Sequence, residues 1–186
     1  MPSTSIAAPP RERILHTAHD LFYRDGIRAT GIDRVIAESG VAKVTFYRQF
    51  ASKDELILAF LDFRHERWMA WFTAALARHG HTLAALEPAL REWFAAPEFR
   101  GCAFLNSVGE LGVALPQVLE VTRRHKQDMT AAIARLIAPG PGRARTSRAL
   151  ALAVDGAIVQ AQFQASPDAA LDSLAVVVKA LGRALV

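Results

Sequence analysis

Between Ile14 and Gly40 the chain twice repeats one arrangement, apolar residues at helical spacing followed by a glycine. Ile14, Leu15, Ala18, Leu21 and Phe22 fall at i, i+1, i+4, i+7 and i+8, one stripe of a 3.6-residue period. Gly26 then supplies a left-handed stop, so the first helix is expected to end near Asp25. Its start is marked by Pro10, which loses nothing where the first helical N–H groups have no partner. Thr30 is placed to cap a second, short helix that has Ile32, Val35 and Ile36 inward and Gly40 at its end. Beyond Gly40, steps of about 100° put Ala42, Phe46 and Phe50 on one face. Val44, Thr45, Tyr47 and Arg48 take the opposite face, with Lys43 and Gln49 at its margins. Two short helices joined by a glycine-containing turn, the second amphipathic, form a helix-turn-helix pattern.

The outward face has the chemistry to meet DNA. Arg48 can donate two hydrogen bonds to a guanine edge, Thr45 can bond a base or touch a thymine methyl, and Val44 offers apolar contact only. Lys43, Tyr47 and Lys53 can engage phosphates, fixing register without reading sequence. An isolated exposed Lys or Arg is ordinarily just solvated; here the grouping on one helix face carries the argument. Charge agrees with it. The formal net charge is only +4, but residues 27–53 hold five basic side chains against Asp33 and Glu38.

The run GVAKVTFYRQFASKDELILAF, Gly40 to Phe60, resembles the hallmark segment of the TetR (tetracycline repressor) family. Upstream, ILHTAHDLFYRDGIRATGIDRVIAESG, Ile14 to Gly40, is similar to that family's first two helices. The resemblance implies an all-α protein: a three-helix, helix-turn-helix DNA-binding domain followed by a helical ligand-binding and dimerisation domain. It implies that Lys43, Thr45, Tyr47 and Arg48 contact operator DNA, with Thr30 and Lys53 touching phosphates from flanking helix starts. Val44 and Gln49 stand where a small residue and histidine are common, so base preference at those two sites does not transfer. It further implies a palindromic operator, repression, and release by a small-molecule effector through a tilt of the fourth helix. Half-sites about 34–36 Å apart make such a dimer sensitive to small displacements.

The remaining chain reads as helices. Ser52-Lys53-Asp54-Glu55 is a capping box opening a long helix to about His79. Further helices are expected over Thr82–Ala95, Phe104–Leu111, Leu115–Ala138, Arg145–Ala165 and Asp168–Leu185, separated by Pro97, the Pro139-Gly140-Pro141-Gly142 cluster and Ser166-Pro167. Ala151–Gln160, with Asp155-Gly156 at its centre, also fits a β-hairpin, although its alanine content favours helix. Gly156 within a helix points to close packing against another helix. In the last segment Leu171, Leu174, Ala175, Val178, Leu181 and Leu185 form one stripe, and Val176, Val177 and Ala180 extend the apolar surface beyond one core face. That surplus suggests a homodimer interface, and the family similarly pairs its last two helices in a four-helix bundle. A helix buried centrally within one subunit is the alternative.

The domains are expected to run as a flexible arm over 1–9, the DNA-binding domain over 10–51 and the sensing and dimerisation domain over 52–186. Trp68, Phe72, Trp93, Phe104, Asn106, His125, Met129 and Phe163 are candidates to line a mainly apolar ligand cavity. An enzyme is disfavoured: there is no Gly-x-Ser-x-Gly elbow, no His-Glu-x-x-His helix and no phosphate-binding glycine loop. Hence no catalytic residue, cofactor or metal is expected. A lone Cys102 and the lack of a signal-like start point to the cytoplasm. Asp155, Lys179 and Arg183 interrupt the most apolar stretches, so no membrane span is expected. The competing reading is a helical ligand-binding or interaction protein that does not bind DNA.

Overall fold

The first helix, α1 (Pro10–Asp25), buries Ile14, Ala18, Leu21 and Phe22 of the stripe its spacing predicts, leaves Leu15 half-buried, and ends at Gly26, where φ is +91°. The computed structural model describes residues 8–183; most of the expected arm, and Leu185 of the last stripe, lie outside them. Two short helices follow, α2 (Ile32–Ser39) and α3 (Lys43–Gln49), with a left-handed Gly40 between them. Both pack against α1. Val35, Phe46 and Phe50 close this small core at no more than 1% exposure, while Ala42, expected inward, is exposed just before α3.

Ser52 and Glu55 form the expected capping arrangement, shifted by one residue. The Ser52 hydroxyl accepts from Glu55 N at 3.1 Å, and the Glu55 carboxylate accepts from Ala51 N at 2.8 Å. They open α4 (Lys53–Arg78), whose 26 residues span about 40 Å at the usual rise per residue. Its N-terminal half packs on α1 and shares Phe60 with Phe22 in an edge-to-face pair 5.5 Å apart. After a 3-10 turn at Leu83–Ala85 come α5 (Leu86–Phe94), α6 (Ala103–Leu111), α7 (Gln117–Ala134), α8 (Arg143–Phe163) and α9 (Asp168–Arg183). No strand occurs among the described residues, and Ala151–Gln160 is helical, which settles the hairpin alternative. α4 contacts α5, α6 and α7; α7 leads through α8 to α9, which folds back on α5. One apolar cluster runs through the whole. No helix of the described residues is long and apolar enough to cross a membrane.

Candidate nucleic-acid interface

Seven residues are too few for a helix to persist alone in water, so α3 depends on its two phenylalanine anchors. With Phe46 and Phe50 inward, the opposite face is fixed by geometry. Val44 is 60% and Tyr47 45% exposed; Lys43 and Arg48 are exposed, and Thr45 and Gln49 half-buried. The outward face thus combines an exposed valine and tyrosine with the exposed cations Lys43 and Arg48, groups suited to base-edge and phosphate contact. Lys43 reaches Asp33 on α2 at 3.3 Å, but both side chains are largely exposed, and such a pair contributes little and is easily exchanged for a phosphate. Arg34 is committed elsewhere, to Asp25 at 2.9 Å and Glu38 at 2.8 Å.

One expected phosphate contact, Thr30, is placed otherwise, and another, Lys53, is partly committed within the chain. Thr30 is fully buried and donates its hydroxyl to Gly26 O at 2.8 Å, satisfying a carbonyl left over at the end of α1. The residue preceding α2 is Gly31, with no side-chain cap, so the Thr30 hydroxyl neither caps α2 nor faces solvent. Lys53 donates to Ile27 O at 2.7 Å and lies over the Phe22 ring; desolvation lowers its pKa. One of its three N–H donors is therefore spent within the chain.

Contacts that the sequence reading missed tie these helices to the rest. Tyr23 Oη donates to Gly101 O at 2.9 Å and accepts from Arg100 N at 3.0 Å. Arg64 of α4 lies 4.0 Å over the Tyr23 ring. The Glu110 carboxylate of α6 accepts from Arg28 N at 2.8 Å. The hydrogen-bonded partners stand 77 to 82 residues apart in sequence, where no local pattern could reveal them.

The residues expected to line a ligand cavity divide into three groups. Trp68, Phe72, Phe104, His125 and Met129 are buried, and Trp93 is half-buried against them. Trp68 stacks on Phe72 at 4.6 Å and meets His125 edge-on at 5.0 Å, and Phe104 stacks on His125 at 3.7 Å. These rings fill their own space: the void bounded by Trp68, Trp93, Phe104 and His125 is only about 10 Å³. Trp68 Nε1 is nonetheless buried without an acceptor, a donor left unpaid by folding. Asn106 falls away from this cluster; its amide donates to Arg100 O and accepts from Gln162, beside a cleft between α1 and α6. Phe163 is 69% exposed, because its turn of α8 faces outward, and it lines no cavity with the others.

Outward on α8 and α9 stand Leu152 at 75%, Phe163 at 69%, Val176 at 68% and Val159 at 42% exposure. Gly156 lies among them, and a Cβ there would meet nothing within 4 Å. The close approach expected at this glycine is therefore not made within one chain. Ala175 and Ala180, from the expected inner stripe and its margin, are exposed on α9 as well.

Among the described residues no group of three His, Cys, Asp or Glu could hold a metal ion. His125 lies Nδ1 to Nδ1 with His65 at 3.2 Å. Desolvation above all, aided by Lys126 and His65, lowers its pKa from 6.5 to about 2. The unfolded chain therefore takes up this proton first as pH falls. The stability gained by keeping His125 neutral is complete above about pH 6.5 and lost progressively below it. From pH 7.5 to pH 5 the protein should lose about 2 kcal/mol on this account. Urea titrations at the two pH values should show His125→Gln losing that part of the difference; an unchanged difference contradicts the assignment.

Residues 14–60 match the family model of bacterial regulatory proteins of the tetR family. SCO4454, a TetR-family transcriptional regulator from Streptomyces coelicolor, superposes with a TM-score of 0.83 at 32% identity, covering 95% of this chain and 89% of that one. A TetR transcriptional regulator from Chloroflexus aurantiacus gives 0.75 at 27% identity, covering 91% and 94%. An HTH-type transcriptional regulator from the lacX 3' region of Lactococcus lactis is 31% identical over 107 residues, 54% of each chain. The match to YxaF, another HTH-type regulator, from Bacillus subtilis, covers 26% of its length. The chain thus spans at most about half the length of these curated relatives.

Proposed function

Because the chain belongs to the TetR family of transcriptional regulators, we propose that it acts in the cytoplasm as a homodimeric repressor. It grips a palindromic operator with two copies of α3 and is released by a small-molecule effector. The observation that carries this reading is the outward face of α3. Val44 and Tyr47 are held in water there by the burial of Phe46 and Phe50 behind them, next to the exposed cations Lys43 and Arg48. In this reading residues 10–51 form the reading domain and 52–183 of the described chain the sensing and dimerising one. Arg48, Thr45 and Val44 meet base edges, Gln49 stands at the margin, and Lys43, Tyr47 and the spare donors of Lys53 hold phosphates. The second copy packs on the apolar face of α8 and α9, with Gly156 allowing the two backbones to approach. The effector acts by opening the packed cluster of Trp68, Trp93, Phe104 and His125, which as it stands leaves no room for one, and α4 passes the change to α1.

Arg48→Ala and Tyr47→Ala should each weaken operator binding by about 1–3 kcal/mol while leaving the dimer intact. Fluorescence anisotropy on a palindromic duplex, selected by the wild-type dimer from random-sequence DNA, measures this. Unchanged affinity in both variants, or failure to select any duplex, would favour a helical binding protein that does not read DNA.

A further inference from the structure

An open groove of about 710 Å³ runs between α7 and α8, outside the aromatic cluster assigned above to sensing. Four cations line it, Arg123, Lys126, Arg143 and Arg148, and no acidic side chain does. Asp155 neutralises Lys126 at 2.5 Å, and Arg143 Nε donates to Ala134 O at 2.7 Å, which pins its guanidinium at the end of the groove. Arg123 and Arg148 are exposed and have no acidic partner among the described residues. Ala131, Ala134 and Ala144 supply an apolar floor between them. The hydroxyls of Thr130 and Ser147 donate to Lys126 O and Ala144 O of their own helices, leaving the guanidinium groups as the main free donors.

The three arginines that line the groove without a counter-charge among the described residues repel one another, and the arrangement becomes favourable when an anion sits among them. The groove is not continuous with α3. It lies toward the start of α8, whereas Gln162 near the other end of that helix bonds Arg100, the neighbour of Tyr23 on the reading helices. We propose that the α7–α8 groove binds an amphiphilic organic anion, a carboxylate or phosphate carried on an apolar body, with Arg123, Arg143 and Arg148 holding the charged group. Lys126 connects this site to the interior. It borders both the groove and the small void beside Trp68 and His125, and its ammonium lies 3.4 Å from Cys102 Sγ. An anion that draws Lys126 from Asp155 loosens the packing against α4. Binding stands by itself, whereas an effector role for the anion rests on the regulator reading.

The test is isothermal titration calorimetry on the full-length protein with decanoate and with decyl phosphate. Inorganic phosphate serves as the head group alone, and decyltrimethylammonium as an apolar body of opposite charge. At least one amphiphilic anion should bind, with inorganic phosphate and the cation weaker by about tenfold or more. The double variant Arg123→Gln/Arg148→Gln should lose about tenfold in affinity for that anion with its melting temperature unchanged. Ala144→Phe, which fills the floor and leaves every charge in place, should abolish binding. Absence of binding by both anions, as when a second copy covers the groove, overturns the proposal, as does equal binding of the cation or indifference to both variants. If the anion binds but operator affinity stays the same, the groove stands and its effector role falls; a protein that binds the anion and no DNA sinks the regulator reading alone.

Discussion

Phe46→Ala is expected to lower the unfolding free energy by about 3–5 kcal/mol and to remove operator binding altogether. The ring is fully buried, packs edge-on to Tyr47 at 5.2 Å and faces Phe50 at 6.3 Å. It is the one buried side chain of a seven-residue helix. The lost contacts and the cavity left behind both act on a helix with no stability of its own. The whole chain's stability is of the order of 5–15 kcal/mol, so α3 should be disordered well before the rest melts. Urea denaturation followed by circular dichroism gives the stability change, and anisotropy below the melting range gives the binding. A variant within about 1 kcal/mol of wild type that still binds operator would show that α3 is not held by this anchor.

Converting the apolar outer face to charge should have a comparably large effect on DNA without touching the reading helix. Leu152→Glu combined with Phe163→Glu places two carboxylates where 75% and 69% of the residues' surface already meets water, so each single chain should fold normally. On the proposed interface two such chains can no longer bury that face, so sedimentation velocity should report a monomer for the variant against the dimer expected of wild type. Once the half-sites are read independently, affinity for the full palindrome should fall by a factor of about 10²–10⁴. Affinity for a single half-site should remain as in wild type. A variant that still sediments as a dimer would move the interface away from α8 and α9.

How much of this was legible in sequence depended on range. Where one turn of helix decides, the reading was sound: Ile14, Ala18, Leu21 and Phe22 face inward, α1 ends at Asp25, and Ser52 caps α4. Thr30 shows the limit of that reasoning. A hydroxyl between two helices can serve the carbonyls behind it or the N–H groups ahead, and the turn after Gly26 swings it back to Gly26 O. Phe163 shows another. Composition marks it as a residue to bury, but only the packing of α8 against α7 and α9 decides which of its flanks is left outside. Likewise, Asn106 stands near the candidate aromatics along the chain yet bonds Arg100 and Gln162, because α6 turns that flank toward α1. The exposed face of α3 was readable for a simple reason: two phenylalanines four residues apart leave its other side no choice.

The hydrogen bonds of Tyr23 to residues 100 and 101, and of Glu110 to Arg28, bear on how forgiving the proposed dimer is of its operator. They fasten α1 to the segment just before α6, and the turn after α1 to α6 itself, in addition to the shared packing along α4. A head fastened this way has no swivel with which to chase a badly placed half-site, unlike one on a slack tether. Adding or removing a single base pair at the centre of the palindrome should therefore be punished severely, and that rigidity would itself discriminate among otherwise similar stretches of a genome.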